Sequence, residues 1–99
     1  SAADPRGDYA EDTGWIGAFG RQFKLVLGAT DMPVLFDIEN DPHELTNLID
    51  SPAHRVIIRR MARELKHYAE ANFEPHLSSS RIRADLAWAL SDELHYPNL

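Results

Sequence analysis

Apolar positions in the first half of the chain follow a period of two. Three short segments carry this pattern: residues 15–19, 22–27 and 34–38. Phe23, Leu25 and Leu27 fall on one side of the second segment, and Val26 falls on the other. Gly and Pro residues separate the segments. The pattern predicts a small antiparallel β-meander of three to four strands, with two apolar faces that each need a cover.

The second half of the chain has the 3.6-residue period of an amphipathic helix. Ser51 is a suitable N-cap, Pro52 suits the first helical position, and the helix is predicted to run over residues 53–73. The predicted apolar side contains Ile57, Ile58, Met61, Ala62, Leu65, Tyr68 and Ala69. The predicted polar side contains Arg55, Arg59, Arg63, Lys66 and Glu70. The apolar side is expected to lie on one face of the meander, in an α+β two-layer fold.

A second helix is predicted over residues 81–94, with Ser80 as its N-cap. Its apolar edge contains Ile82, Leu86, Ala89 and Leu90. Two covers are possible for the other sheet face: this second helix, or a larger domain of a parent protein.

Between strand and helix lies a corner, residues 35–48, rich in turn and helix-start residues. Asp41 is a candidate N-cap, Pro42 suits the following position, and Glu44 stands where a capping box needs an acid. These residues predict a single helical turn. Leu45 and Leu48 are three residues apart and are expected to fold back together onto the core.

The same residues resemble the C-terminal subdomain of the type I sulfatases, in the alkaline-phosphatase-like superfamily. Phe23-Lys24-Leu25 matches the family's lysine strand, and residues 35–48, with Asp41-Pro42, Glu44 and Asn47-Leu48, match the segment that follows it. The resemblance covers the middle one of three predicted parts, and composition and helical pattern give the other two. The three parts are an acidic tail or linker at residues 1–14, a subdomain at residues 15–75, and a C-terminal helical extension at residues 76–99. Asp41, Pro42, Glu44 and Asn47 are then residues of a structural turn.

The resemblance implies a parent enzyme that hydrolyses sulfate esters with formylglycine and a divalent cation such as calcium. The formylglycine arises within a Cys/Ser-x-Pro-x-Arg motif, but the chain has no cysteine and Ser51-Pro52 reads as a helix start. We therefore expect this chain to be non-catalytic, to support the pocket, and to have the catalytic domain or a second copy of itself as partner. His43, on the turn, is a candidate for substrate specificity. The alternative is a stand-alone protein-interaction module.

Charge limits the other possibilities. The formal net charge of -6 argues against a nucleic-acid partner, although Arg55, Arg59, Arg63 and Lys66 form a basic stripe. No apolar run is long enough for a membrane span. Asp37, Glu39, Asp41, Glu44 and Asp50 form an acidic segment without the spacing of a calcium loop, and the five histidines lack the spacing of a zinc site. We expect no metal in this chain, and expect the acidic segment to pair with Arg55, Arg59 and Arg60.

Overall fold

The structure, a computed structural model, describes residues 14–72 and 78–99. The predicted acidic tail, apart from Gly14, lies outside the described residues. The predicted end of the first helix at residue 73 lies outside them as well.

Three strands form an antiparallel meander in the order β1-β2-β3. They are β1 (Trp15–Phe19), β2 (Phe23–Gly28) and β3 (Val34–Asp37). The register pairs Ile16 with Leu27, and Leu25 with both Ala18 and Leu35. Because paired residues share a face, this register places the buried side chains of all three strands on one side of the sheet. The predicted strands are confirmed to within one residue at each end.

In the described part of the chain, two helices complete the α+β fold: α1 (Arg55–Asn72), which follows a 3₁₀ turn at Pro52–His54, and α2 (Ser80–Leu90). The side chain of Ser51 does not cap a backbone N–H; its hydroxyl lies 2.8 Å from His54 Nδ1 instead. Five of the seven residues of the predicted apolar side of α1 are buried, whereas Tyr68 is 42% exposed and Ile57 is half-buried. Arg55, predicted on the polar side, is buried as well.

Helix α2 is shorter than predicted and begins with a different cap. Ser79, not Ser80, is the N-cap, and its hydroxyl accepts the Ile82 N–H at 3.2 Å. The helix ends at Leu90, because Ser91 adopts an extended conformation and its hydroxyl donates to the Trp88 carbonyl at 2.6 Å. The chain beyond it returns across the core through Tyr96, which is 3% exposed and stacks edge-on against Trp88.

Both helices pack on the same face of the sheet. Ile82, Leu86 and Ala89 of α2 belong to one buried cluster with Ile58 and Leu65 of α1 and with the inner strand residues. The inner strand residues of this cluster are Ile16, Leu25, Leu27 and Leu35. Full burial of a side chain of this size contributes about 1.5–3 kcal/mol. Of the two predicted covers for the outer face, α2 is therefore the wrong one.

Arg55 contradicts its predicted place on the polar side of α1. It is 2% exposed, and its guanidinium donates to the carbonyls of Glu93 at 2.6 Å and Ser91 at 2.9 Å. The same group lies 4.3 Å from the Trp88 ring. The end of α2 leaves carbonyls without helical partners, and its dipole favours a cation there. Arg55 thus joins the start of α1 to the end of α2.

The predicted pairing of arginines with the acidic segment is also wrong. Arg59 donates to the Ser91 carbonyl at 3.1 Å and lies 3.9 Å from Asp92, at the same end of α2. Arg60 is exposed on the other side of α1. The reason is geometric: α1 turns its first basic residues toward the C-terminal segment, which the sequence pattern did not place nearby.

Candidate functional site

The corner begins where β3 ends. Asp37 accepts the Asn40 N–H and the Asn40 side-chain amide, each at 3.0 Å, and the Gln22 amide at 3.2 Å. The hydrogen bonds from Asn40 are the largest cause that lowers the pKa of the Asp37 carboxyl below its ordinary value. Asp37 therefore closes the first turn of the corner in its charged form.

The predicted helical turn at residues 41–48 does not form. Pro42 and His43 lie in a turn closed by the Glu44 N–H, which donates to the Asp41 carbonyl at 2.9 Å. Glu44 then has a φ of 56°, in the left-handed region, and this ends any helical continuation. As a result the Asp41 carboxylate accepts the Leu45 and Thr46 N–H groups, at 3.1 and 3.0 Å. Asp41 caps a loop rather than a helix.

Glu44 does not complete a capping box. Its carboxylate instead lies 2.6 Å from Lys24 Nζ, and the two side chains are 34% and 23% exposed. Lys24 Nζ also lies 5.8 Å from the centre of the Phe36 ring. An ion pair at this exposure contributes at most about 1 kcal/mol. It nevertheless holds the corner beside the outer face of the sheet.

Asn47 connects the corner to the edge of β3. Its Oδ1 accepts the N–H of Leu35 at 2.9 Å and of Ile49 at 3.1 Å, and its Nδ2 donates to the Pro33 carbonyl at 3.2 Å. The Leu48 N–H donates to the Leu35 carbonyl at 2.8 Å. Asn47 and Leu48 therefore occupy the place that a fourth strand would take beside β3.

The two leucines of the corner have different environments. Leu48 packs against the buried cluster, whereas Leu45 is 81% exposed. The expectation that both fold back onto the core is therefore wrong for Leu45. The left-handed backbone at Glu44 turns the next residue outward.

His43 lies at the exposed tip of the corner, between Pro42 and Glu44. Within residues 14–72 and 78–99 its imidazole has no hydrogen bond or ion pair. Two other histidines have structural partners: His54 stacks edge-on against Phe23, and His95 Nδ1 lies 3.3 Å from Asp50.

Four of the five carboxylates of the acidic segment, all except Glu39, have partners within the described residues. Asp37, Asp41 and Glu44 are engaged as described above, and Asp50 accepts the Tyr96 N–H at 2.7 Å. In the part of the chain that the structure describes, no group of three or more His, Asp or Glu side chains is arranged to hold a metal ion.

The outer face of the sheet is apolar and lies outside the buried cluster. Its apolar side chains are Trp15, Phe19, Val26, Val34 and Phe36, which we call the open face. Phe19 is 53% exposed and the others are half-buried. Trp15 and Phe19 meet edge-on at 6.2 Å above Gly17, where a Cβ would lie only 3.0 Å from the Phe19 ring. Lys24, paired with Glu44, lies between Phe19 and Phe36 in register.

The described residues thus form a small α+β domain. Its corner, residues 35–48, is held by hydrogen bonds and lies beside the open face of the sheet. Among curated proteins, an uncharacterized protein of Haemophilus influenzae is 39% identical over 46 residues. That segment is 46% of this chain but only 24% of the relative's length. No family model matches the chain, and no solved structure matches it. Among the described residues, no helix has the length and hydropathy needed to cross a membrane.

Proposed function

We propose that this chain is the C-terminal subdomain of a sulfatase-type hydrolase and that its open face packs against the catalytic domain. The observation that carries the proposal is the open face itself, flanked by the Lys24–Glu44 pair. A contiguous apolar patch on a sheet marks an interaction surface. Covering it with a larger domain gives the meander the second layer that its two apolar faces require.

The residues that resemble the sulfatase segment support the proposal, because they contact one another or the same corner of the structure. Lys24 binds Glu44, Asp41 holds the loop that carries His43, and Asn47 bonds the backbone of β3. A match confined to residues that build one corner is more informative than the same number of scattered identities. The corner then presents His43 toward the neighbouring domain, where it contributes to substrate specificity.

In this proposal the chain is structural. The nucleophile, expected to be formylglycine, and the divalent cation, expected to be calcium, belong to the catalytic domain. We assign no part in the reaction to the carboxylates of the acidic segment, four of which have hydrogen-bond or ion-pair partners within the described residues. What this chain supplies is one wall of the pocket and the stability that comes from burying the open face.

The open reading frame that contains the chain provides the first test. We expect a Cys/Ser-x-Pro-x-Arg motif several hundred residues upstream, and we expect the full-length protein to cleave an aryl sulfate in preference to aryl phosphodiesters and phosphonates. His43→Ala in that protein should change substrate preference with little effect on expression. Absence of the motif, together with no sulfate ester turnover, would contradict the proposal and leave the stand-alone interaction module as the better reading.

The open face has a test of its own in the isolated chain. We expect the chain to bind a hydrophobic dye or to dimerise, and Phe19→Ser or Phe36→Ser to weaken both. Leu45→Ser is the matched control, because Leu45 is equally apolar and 81% exposed but lies outside the open face. The open face is not a docking surface if all three variants bind the dye and dimerise alike. The same conclusion follows if the unmodified 99-residue chain is a monomer that binds no dye.

A further inference from the structure

A cleft separates the β1–β2 turn from the middle of α1, on the opposite side of the sheet from the open face. Its volume is about 360 Å³. Gly20, Arg21, Gln22, Phe23, Arg60, Met61 and Glu64 line it. The volume lies within the range of small-molecule sites, roughly 300–1,000 Å³. We call it the turn–helix cleft.

The floor and the rim of the turn–helix cleft differ in chemistry. Phe23 and Met61 form an apolar floor, half-buried and 4% exposed respectively. Arg21 and Arg60 stand on the rim from opposite elements, one on the turn and one on α1. Both are exposed, and neither has an ion pair or hydrogen bond within residues 14–72 and 78–99.

Two guanidinium groups that line one cleft and have no ion-pair partner within residues 14–72 and 78–99 are notable in a chain whose net charge is -6. Three other basic residues form ion pairs, Lys24 with Glu44, Lys66 with Glu70 and Arg81 with Asp85. Arg63 forms none within the described residues, but it does not line the cleft. Glu64 lines the same cleft, but no ion pair joins it to Arg60, four residues before it. Each guanidinium group carries a planar fork of N–H donors, and two such groups facing one cleft can donate hydrogen bonds to the oxygens of a single oxyanion.

We propose that the turn–helix cleft binds a small ligand that carries an oxyanion, of the sulfate, phosphate or carboxylate class, on a flat apolar group. The oxyanion lies between Arg21 and Arg60, and the apolar group rests on Phe23 and Met61. Glu64 limits the charge that the cleft accepts, because a second negative group on the ligand would approach its carboxylate. This inference does not depend on the sulfatase proposal.

The turn explains why the cleft is formed before a ligand arrives. The Gly20 N–H donates to the Phe23 carbonyl at 2.9 Å, and the Ile38 N–H donates to the Gln22 carbonyl at 2.6 Å. These bonds fix both ends of the turn that carries Arg21. Arg60 projects from α1, so each arginine stands on a backbone that is already ordered, and little ordering is left to oppose binding.

The test is an amide NMR titration of the full 99-residue chain at constant ionic strength. The probes are inorganic sulfate, phenyl sulfate and phenyl phosphate, with phenol as the neutral probe. We expect shifts centred on residues 20–23 and 60–64, and tighter binding of the phenyl esters than of sulfate or phenol. Arg21→Gln and Arg60→Gln should each weaken phenyl sulfate binding roughly tenfold, as expected for one charge-assisted contact.

Arg63→Gln is the matched control, since it removes the same charge from an exposed position of α1 that does not line the cleft. It should leave binding within about twofold of the parent chain, because general attraction between separated surface charges is screened by salt. Glu64→Gln should strengthen binding. Equal weakening by all three arginine variants, shifts spread over the chain, or no shift at about 50 mM of every probe would overturn the proposal.

Discussion

The hydrogen bonds of Asn47 predict how much this residue contributes to the free energy of unfolding. In Asn47→Ala the side chain loses three hydrogen bonds, to Leu35, Ile49 and Pro33. A net contribution of about 0.5–1.5 kcal/mol for each bond puts the total loss at roughly 1.5–4.5 kcal/mol. Asn47 is itself exposed, so water replaces part of what is lost and the lower end of that range is expected.

Such a loss is large for a domain of this size, whose free energy of unfolding is expected to be roughly 5–15 kcal/mol. Urea unfolding, followed by the fluorescence of Trp15 and Trp88, measures it. With a slope of about 1–2 kcal/mol per M, the midpoint should fall by roughly 1–2 M. Amide exchange should accelerate most at Leu35 and Ile49, whose N–H groups lose their acceptor.

Two further variants distinguish the effect of losing the Asn47 hydrogen bonds from the effect of changing any residue of this loop. Asn47→Asp keeps both accepting bonds and loses the donation to Pro33, so we expect a loss of about 1 kcal/mol. Thr46→Ala changes an exposed neighbour whose bond to Asp41 runs through its backbone, and should stay within about 0.5 kcal/mol of the parent. The reasoning is refuted if Asn47→Ala is no less stable than Thr46→Ala and the exchange of Leu35 is unchanged.

Two more predictions concern the C-terminal segment. Arg55→Ala should lower the free energy of unfolding by about 3 kcal/mol or more, because it leaves carbonyls at the end of α2 without a donor. Arg63→Ala removes an exposed arginine of the same helix and should change the free energy of unfolding little. Equal effects of the two variants in urea unfolding would contradict the role of Arg55 in joining α1 to α2. Burial, and then the hydrogen bond to Asp85, raise the pKa of Tyr96 above 10.0, so the folded chain keeps the phenol proton where the unfolded chain has lost it. Stability from this group is therefore complete below about pH 10 and declines as pH rises through the folded pKa. Unfolding measured between roughly pH 9 and pH 11 should show this decline, and an equal decline in Tyr96→Phe would contradict it.

Local sequence patterns predict which segments form strands and helices, and which side of each strand or helix is buried. Alternation in residues 22–27 identifies β2 and its buried side, because successive strand residues point to opposite faces. The 3.6-residue period does the same for α1. The two apolar faces of the meander were visible for the same reason, and one of them is the open face. The cleft between the β1–β2 turn and α1 was not visible, since Arg21 and Arg60 are thirty-nine positions apart in the sequence.

The sequence by itself thus determined the α+β class, the strands to within one residue at each end, and most of the buried side of the first helix. Only the tertiary structure decided which partners those residues take. Arg55 belongs by periodicity to the polar side of α1, yet it is buried because the end of α2 offers unpaired carbonyls there. Asp41 and Glu44 have the spacing of a capping box, yet Lys24 on a distant strand draws Glu44 away. Propensity and period act over a few residues, whereas the identity of a hydrogen-bond partner depends on elements that meet only after the chain has folded.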